Sequence, residues 1–287
     1  MNERMKSLWK YIPIGRIPEN QSSEELEEIR LIRGQPIQLC YGQNTVYLPQ
    51  ITDNDMIQTL LDKCTQRSPY SVREMLRRGF LLLPGGHRIG LCGTGVYKHG
   101  ELASLRDISS VNIRIAKEII GFGTSVADIL WSCPGSALCI GPPGRGKTTL
   151  LRDTIRQLSS RFGERIALID ERQEVAACLD GYPQFDLGPT TDILSGVRKA
   201  DGIQMLTRSL GPWRIALDEI TAEEDVDAMI RSSYCGIRFL ATAHGSSLSD
   251  LKRRPIYRKL LDNHIFDYVF VIGSDRRIRK EALCHCD

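Results

Sequence analysis

Eight consecutive residues, Gly141-Pro142-Pro143-Gly144-Arg145-Gly146-Lys147-Thr148, match the spacing G-x-x-x-x-G-K-[ST] at each fixed position. Glycines at these places let the backbone curl inward, so that several N–H groups point at one polyphosphate. Lys147 is then placed for the β- and γ-phosphates and the Thr148 hydroxyl for Mg²⁺, while Thr149 continues into a helix whose positive end faces the anion. The flanks suit this role, with apolar Ala137 to Ile140 before the loop and a helical run from Thr149 after it. ATP or GTP is the expected ligand, and the chain holds no Asn-Lys-x-Asp guanine-reading motif, which favours ATP with Mg²⁺.

Carboxylates follow where such a ligand needs them. Arg214-Ile215-Ala216-Leu217-Asp218-Glu219 is an apolar strand ending in two acids. Asp218 is expected to hold Mg²⁺, and Glu219 to orient and deprotonate the attacking water, because phosphoryl transfer depends on positioning and charge neutralisation. Arg165 to Ile169 is another strand, running into Asp170-Glu171-Arg172-Gln173-Glu174. Ligands of open α/β sheets lie at the carboxyl ends of strands, so Glu171 and Glu174 become candidate catalytic carboxylates; a solvated acidic loop is the plainer alternative. Phe239 to His244 is a third such strand, and its terminal His244 is expected to sense the γ-phosphate rather than to serve as a structural histidine. Arg208, just before Gly211-Pro212, either stabilises transition-state charge or caps a helix end.

The elements that must position these groups form an alternating series. From Ala137 onward strand, loop, helix and strand succeed one another, the signature of a doubly wound α/β core. The preceding residues read differently. A capping box at Ser22-Ser23-Glu24-Glu25 opens a short helix, Ile29 to Ile32 reads as a strand, and Ile37 to Tyr41 with Thr45 to Leu48 as a hairpin. Helices are expected after Asp53 and from Val72 to Arg78, then short strands over Phe80 to Leu83, Arg88 to Cys92, Gly95 to Tyr97 and Val111 to Ala116. The expected organisation is an N-terminal α+β domain over 1–120, a hinge and linker helix over 121–136 beginning at Gly121-Phe122-Gly123, and a P-loop ATPase domain over 137–287.

Composition excludes little. The 38 Lys and Arg against 35 Asp and Glu leave a formal charge of +3, too slight to argue for nucleic acid. Nine cysteines lack any C-x-x-C pair and read as free thiols of a reducing compartment. Cys284-His285-Cys286 could contribute to a metal site but cannot close a tetrahedral one alone. Neither a signal peptide nor a stretch of about 20 apolar residues occurs. The expected location is cytoplasmic, peripheral at a membrane through a partner.

Taken together, Glu171 with Glu174, Arg208, Asp218-Glu219 and Thr242-Ala243-His244 resemble the Asp box, Walker B and His box of the secretion-superfamily ATPases, the motors of type II and type IV secretion and of pili. The resemblance extends from about residue 22 to 275. It implies a RecA-like P-loop core, a hexamer, and ATP-driven movement of the N-terminal domain. It further implies a motor of the channel between mother cell and forespore in endospore formation, working with a polytopic inner-membrane protein. Arg88, Arg106 and Arg114 match the stretch from which such motors supply arginines to the nucleotide. Asp218 stands where they usually carry Gly, and a four-cysteine zinc insertion is lacking.

Two other readings compete. Leu194-Ser195-Gly196 resembles the LSGGQ signature of ABC transporter ATPases, although Val197 and Arg198 break it. A nucleic-acid motor would use the basic runs Lys252-Arg253-Arg254 and Arg276-Arg277-Ile278-Arg279-Lys280, which are more simply solvated faces. A module that only binds nucleotide has no need of Glu219.

Overall fold

Alternating strands near the N-terminus and unbroken apolar strands after residue 137 build two different sheets. A computed structural model describes residues 3–13, 25–65, 79–281 and 283. It divides the chain into two units, Met1–Lys117 with Leu179–Gln184, and Glu118–Cys178 with Phe185–Asp287. The helix anticipated as a linker therefore belongs to the second unit.

The first unit holds helix α1 (Glu3–Trp9), strands β1 (Glu28–Ile32), β2 (Pro36–Tyr41) and β3 (Asn44–Ile51), helix α2 (Asn54–Thr65), and strands β4 (Phe80–Leu82), β5 (Arg88–Lys98) and β6 (Glu101–Arg114). The strands form one six-stranded sheet in the order β3-β2-β1-β6-β5-β4, antiparallel throughout. Its inward positions, among them Ile29, Leu31, Leu39, Ile89 and Ile113, pack with Leu8 and Leu60 of the helices. This alternation is what an antiparallel sheet with one buried face requires. The short strands expected over 88–97 are a single strand, and of the one expected over 111–116 only 111–114 is strand, the end of the long β6, because β5 and β6 pair across bulges at Cys92/Thr94 and Val96/Tyr97. Leu179–Gln184 joins this unit through Gln184, whose carbonyl accepts from Arg4 at 3.1 Å and whose Oε1 accepts from the Gly85 N–H at 2.9 Å. The helices expected at 22–25 and 72–78 and the Cys284-His285-Cys286 tail lie outside the described residues, apart from Glu25, which sits in a turn.

The second unit runs α3 (Thr124–Ser132), β7 (Ala137–Gly141), α4 (Lys147–Phe162), β8 (Ile166–Asp170), β9 (Thr191–Ser195), α5 (Lys199–Ser209), β10 (Arg214–Leu217), α6 (Glu223–Ser233), β11 (Arg238–His244), α7 (Leu248–Lys252), α8 (Pro255–Asp262), β12 (Tyr268–Ile272) and β13 (Ile278–Glu281). The sheet order is β13-β12-β7-β11-β10-β8-β9. All neighbours are parallel except β12 with β13. Strands β7, β8 and β10 are buried at each position, as a sheet covered by helices on both faces demands.

Gly121 to Gly123, read as a hinge, is fixed to this unit. The Gly123 N–H donates to Asp153 Oδ2 of α4 at 2.7 Å, and a Cβ on Gly123 would stand 2.4 Å from the Thr154 backbone nitrogen. Glycine is what permits that approach. Leu194 and Ser195 end edge strand β9, and the Gly196 N–H just after them donates to the Asp170 carbonyl at 3.0 Å. The segment that suggested a transporter signature is thus pinned as a strand end.

Candidate nucleotide site

Strands β7, β8, β10 and β11 run parallel, so their carboxyl ends open on one edge of the sheet. At that edge Gly141 closes β7, and Pro142, Pro143, Gly144 and Arg145 form the loop. Gly146, with φ of 92°, turns the chain into α4. Only glycine takes that conformation at little cost, and it lets the helix begin at Lys147, two residues earlier than the sequence pattern indicates. Arg145 ties the loop to the following hairpin through Ser274 O at 3.2 Å.

The nearly buried Lys147 donates from Nζ to the Pro142 carbonyl at 3.1 Å and meets His244 Nδ1 at 2.9 Å. An ammonium can only donate, so Nδ1 is the acceptor and His244 carries its proton on Nε2. That proton points at Glu219 Oε1, 2.7 Å away, and the other oxygen, Oε2, takes Arg172 Nη1 at 2.6 Å. Burial pulls the Lys147 pKa down, opposed by the charges of Asp218 and Glu219. One hydrogen-bonded line thus runs Lys147, His244, Glu219, Arg172.

Beside it, Thr148 Oγ1 donates to Asp218 Oδ2 at 2.7 Å, and the buried Thr242 hydroxyl donates to Asp218 Oδ1. The same Thr242 oxygen accepts the Glu219 N–H at 2.8 Å. Glu219 has φ of 50°, a left-handed conformation that a non-glycine residue adopts at a cost. The neighbouring strand helps to hold it there, since Thr242 O also accepts the Ile220 N–H at 3.1 Å. Thr148 and Asp218 converge as hard oxygen donors of the kind Mg²⁺ takes, in the small number it takes alongside phosphates.

Residues 170 to 174 diverge. The buried Asp170 carboxylate accepts four backbone N–H groups, from Glu174, Val175, Ala176 and Ala177, at 2.8–3.2 Å, and so builds the loop. Glu171 turns away from Lys147 to form an ion pair with the buried Lys199 at the start of α5. It also lines a cavity of about 400 Å³ with Asp201, Glu224, Asp225 and Arg231. The Glu174 carbonyl accepts from Arg152 at 2.7 Å. The structure therefore joins Lys147, Thr148, Asp218, Glu219 and His244 and leaves Glu171 apart. Arg208 is apart as well: it is exposed in the last turn of α5, at the edge where strands begin, because α5 runs back to the start of β10. It therefore stands at the opposite edge of the sheet from the phosphate loop.

In the first unit Arg88 and Arg114 stand directly opposite each other on β5 and β6. Arg114 lies 3.4 Å from Glu28, and Arg106 lies 3.5 Å from Asp107. Two groups in the nucleotide site were given no role by sequence, Arg172 and Thr242. Their motifs marked strand ends but not which side chain meets which. Among the described residues no group of three or more His, Cys, Asp or Glu could hold a metal.

The family model for sporulation stage III, protein AA, matches residues 12–280. Stage III sporulation protein AA of Bacillus subtilis (strain 168) is 36% identical over 259 residues, covering 88% of this chain and 84% of that protein. Among solved structures, the pilus retraction motor PilT with bound ADP superposes with a TM-score of 0.62 at 18% identity over 90% of this chain and 79% of that one. The Legionella pneumophila ATPase DotB gives 0.58 at 17% identity over 90% and 76%. These likenesses establish the secretion ATPase fold, a RecA-like P-loop core together with a smaller N-terminal α+β unit.

Proposed function

The chain belongs to the stage III sporulation protein AA family, and on that premise we propose that it is an ATP-hydrolysing motor of a secretion-type machine, acting at the channel between mother cell and forespore in endospore formation. The observation that carries this reading is the junction of loop, strand ends and base: Lys147 reaches Glu219 through His244, with Thr148 on Asp218 beside them. A module that only bound nucleotide would not need a carboxylate held at that distance from the phosphate loop.

In this reading the backbone N–H groups of residues 144–147 would cradle the β-phosphate, and Lys147 leaves the Pro142 carbonyl for the β- and γ-phosphates. Thr148 and Asp218 would hold Mg²⁺, which supplies neutralisation of phosphate charge when bound. Glu219 orients and deprotonates water. His244, already between Lys147 and Glu219, reports the terminal phosphate to that carboxylate. Thr242 sets the Glu219 backbone and orients Asp218.

Among the described residues no helix is long and apolar enough to cross a membrane. We place the protein in the cytoplasm, held at the membrane by a polytopic inner-membrane channel protein, and in a homo-oligomer that is a hexamer. No feature of the nucleotide site calls for nucleic acid.

Two substitutions test the core of the proposal. Lys147→Ala should abolish binding of a fluorescent ATP analogue, whereas Glu219→Gln should bind normally and lose turnover by about 10²-fold or more. Unchanged turnover in Glu219→Gln would move the base elsewhere, and full affinity in Lys147→Ala would remove the phosphate loop from the argument.

A further inference from the structure

Both oxygens of Glu219 are occupied, Oε1 by His244 at 2.7 Å and Oε2 by Arg172 at 2.6 Å. Each oxygen keeps a second lone pair, but both are turned towards fixed donors, which restricts where a water can be held. Of its two partners, His244 belongs to a strand end and touches Lys147. Arg172 differs: its side chain is 57% exposed against 20% for Glu219, so its guanidinium has room to leave.

Its backbone does not. The Gln173 N–H donates to the Asp170 carbonyl at 3.2 Å, and the next four N–H groups close on the Asp170 carboxylate. The neighbours of Arg172 are already committed, Glu171 to Lys199 and the Glu174 carbonyl to Arg152. A long cationic side chain on a fixed root therefore stands two hydrogen-bonded side chains, Glu219 and His244, from Lys147 Nζ. A half-exposed ion pair is weak. A terminal phosphate offers a planar guanidinium more charge and several oxygens at once.

Resting on the nucleotide-binding reading above, we propose that Arg172 is a γ-phosphate-sensing residue acting within its own protomer. It holds Glu219 Oε2 while the site lacks a terminal phosphate, and transfers to that phosphate when a nucleoside triphosphate binds, which frees the oxygen for water. A diphosphate lacks the group that draws Arg172 away and leaves Glu219 clamped. Arg172 thereby sets the preference of the site for triphosphate over diphosphate.

The test is competition of ADP and a non-hydrolysable ATP analogue against a fluorescent nucleotide on the full chain. Arg172→Ala should lower affinity for the triphosphate analogue by about 10-fold, the scale of one charge-assisted contact, with ADP affinity unchanged, and Arg172→Lys should recover part of the loss. A purely structural arginine would weaken both nucleotides alike, so retained ADP binding controls for folding. If the alanine variant loses ADP as well, Arg172→Gln and Arg172→Lys decide by the same ratio. A triphosphate-to-diphosphate ratio equal to wild type overturns the proposal while leaving nucleotide binding intact. Wild-type protein that binds neither nucleotide, or Lys147→Ala that binds both, overturns the nucleotide reading and this inference with it.

Discussion

Thr242 shows how much of this site hangs on one hydroxyl. It donates to Asp218 and accepts the Glu219 N–H at 2.8 Å, so it sets the direction of the proposed metal ligand and the left-handed backbone of the proposed base together. Thr242→Val keeps the shape but leaves the part-buried Glu219 N–H without its acceptor, a loss of about 1 kcal/mol. Turnover should fall about 10-fold or more, with ATP affinity changed far less, because the Glu219 backbone it releases acts on water, whereas Thr148 of the phosphate loop still holds Asp218. Steady-state rates beside equilibrium binding check this, and equal losses in both would make Thr242 part of the binding surface instead. Asp170 carries the complementary lesson. As the first acid of an acidic run it resembles a catalytic group, yet it spends its carboxylate on four N–H groups of its own loop. Composition cannot separate these outcomes, since each follows from which way a side chain leaves the end of β8.

At the scale of elements the sequence was most readable where periodicity was strongest. The apolar runs at 137–140, 166–169, 214–217 and 239–243 are strands that a parallel sheet must bury on both faces, and the phosphate loop follows the first of them. Legibility failed where pairing, not periodicity, decides. Strand β9 was hidden because Thr191–Ser195 is only partly buried at an edge, and β5 and β6 read as fragments because bulges interrupt their alternation. Glu171 and Glu174 looked equivalent until Lys199 and Arg152, both distant in sequence, claimed one side chain and the other backbone. The N-terminal sheet contains a test of its own. Fully buried His87 accepts the Ala116 N–H on Nδ1 at 3.1 Å and meets the Arg4 carbonyl with Nε2 at 3.2 Å, which fixes a neutral ring. Burial, the largest cause, pushes its pKa from 6.5 down to about 4. As pH falls through this window the unfolded chain takes a proton that the folded chain refuses. The stability His87 contributes is therefore complete above 6.5 and lost towards 4, by about 3 kcal/mol. Melting curves across that range should show this loss in the parent and a shallower one in His87→Phe, and parallel curves for the two would assign the pH dependence to other groups.

For the molecule as a whole, charge arithmetic argues against a lone chain as the working unit. Lys147 and Arg172 are balanced within the site by Asp218 and Glu219, so bound triphosphate, even with Mg²⁺, leaves negative charge that this constellation does not cover. NTPases commonly obtain that charge from an arginine of a neighbour, at about 10³ to 10⁵ in rate. The chain has arginines to offer. Arg114 is exposed beside Glu28, and exposed Arg208 lies at the edge opposite the phosphate loop. The second unit is also polar in charge from side to side. Asp201, Glu224, Asp225 and Asp227 outnumber Arg198 and Arg231 around the cavity between α5 and α6, while Arg276, Arg277, Arg279 and Lys280 stand exposed at the β13 edge. A surface that is acidic on one flank and basic on the other associates head to tail, and head-to-tail contacts close into rings when the rotation allows. We expect specific turnover to rise with protein concentration, the particle seen in light scattering to grow when ATP is trapped by Glu219→Gln, and both effects to weaken as salt screens the flanks. A monomer whose specific activity stays constant over a hundredfold range of concentration, with ATP and the membrane partner present, would leave the ring without support and would require the missing positive charge to come from within the chain.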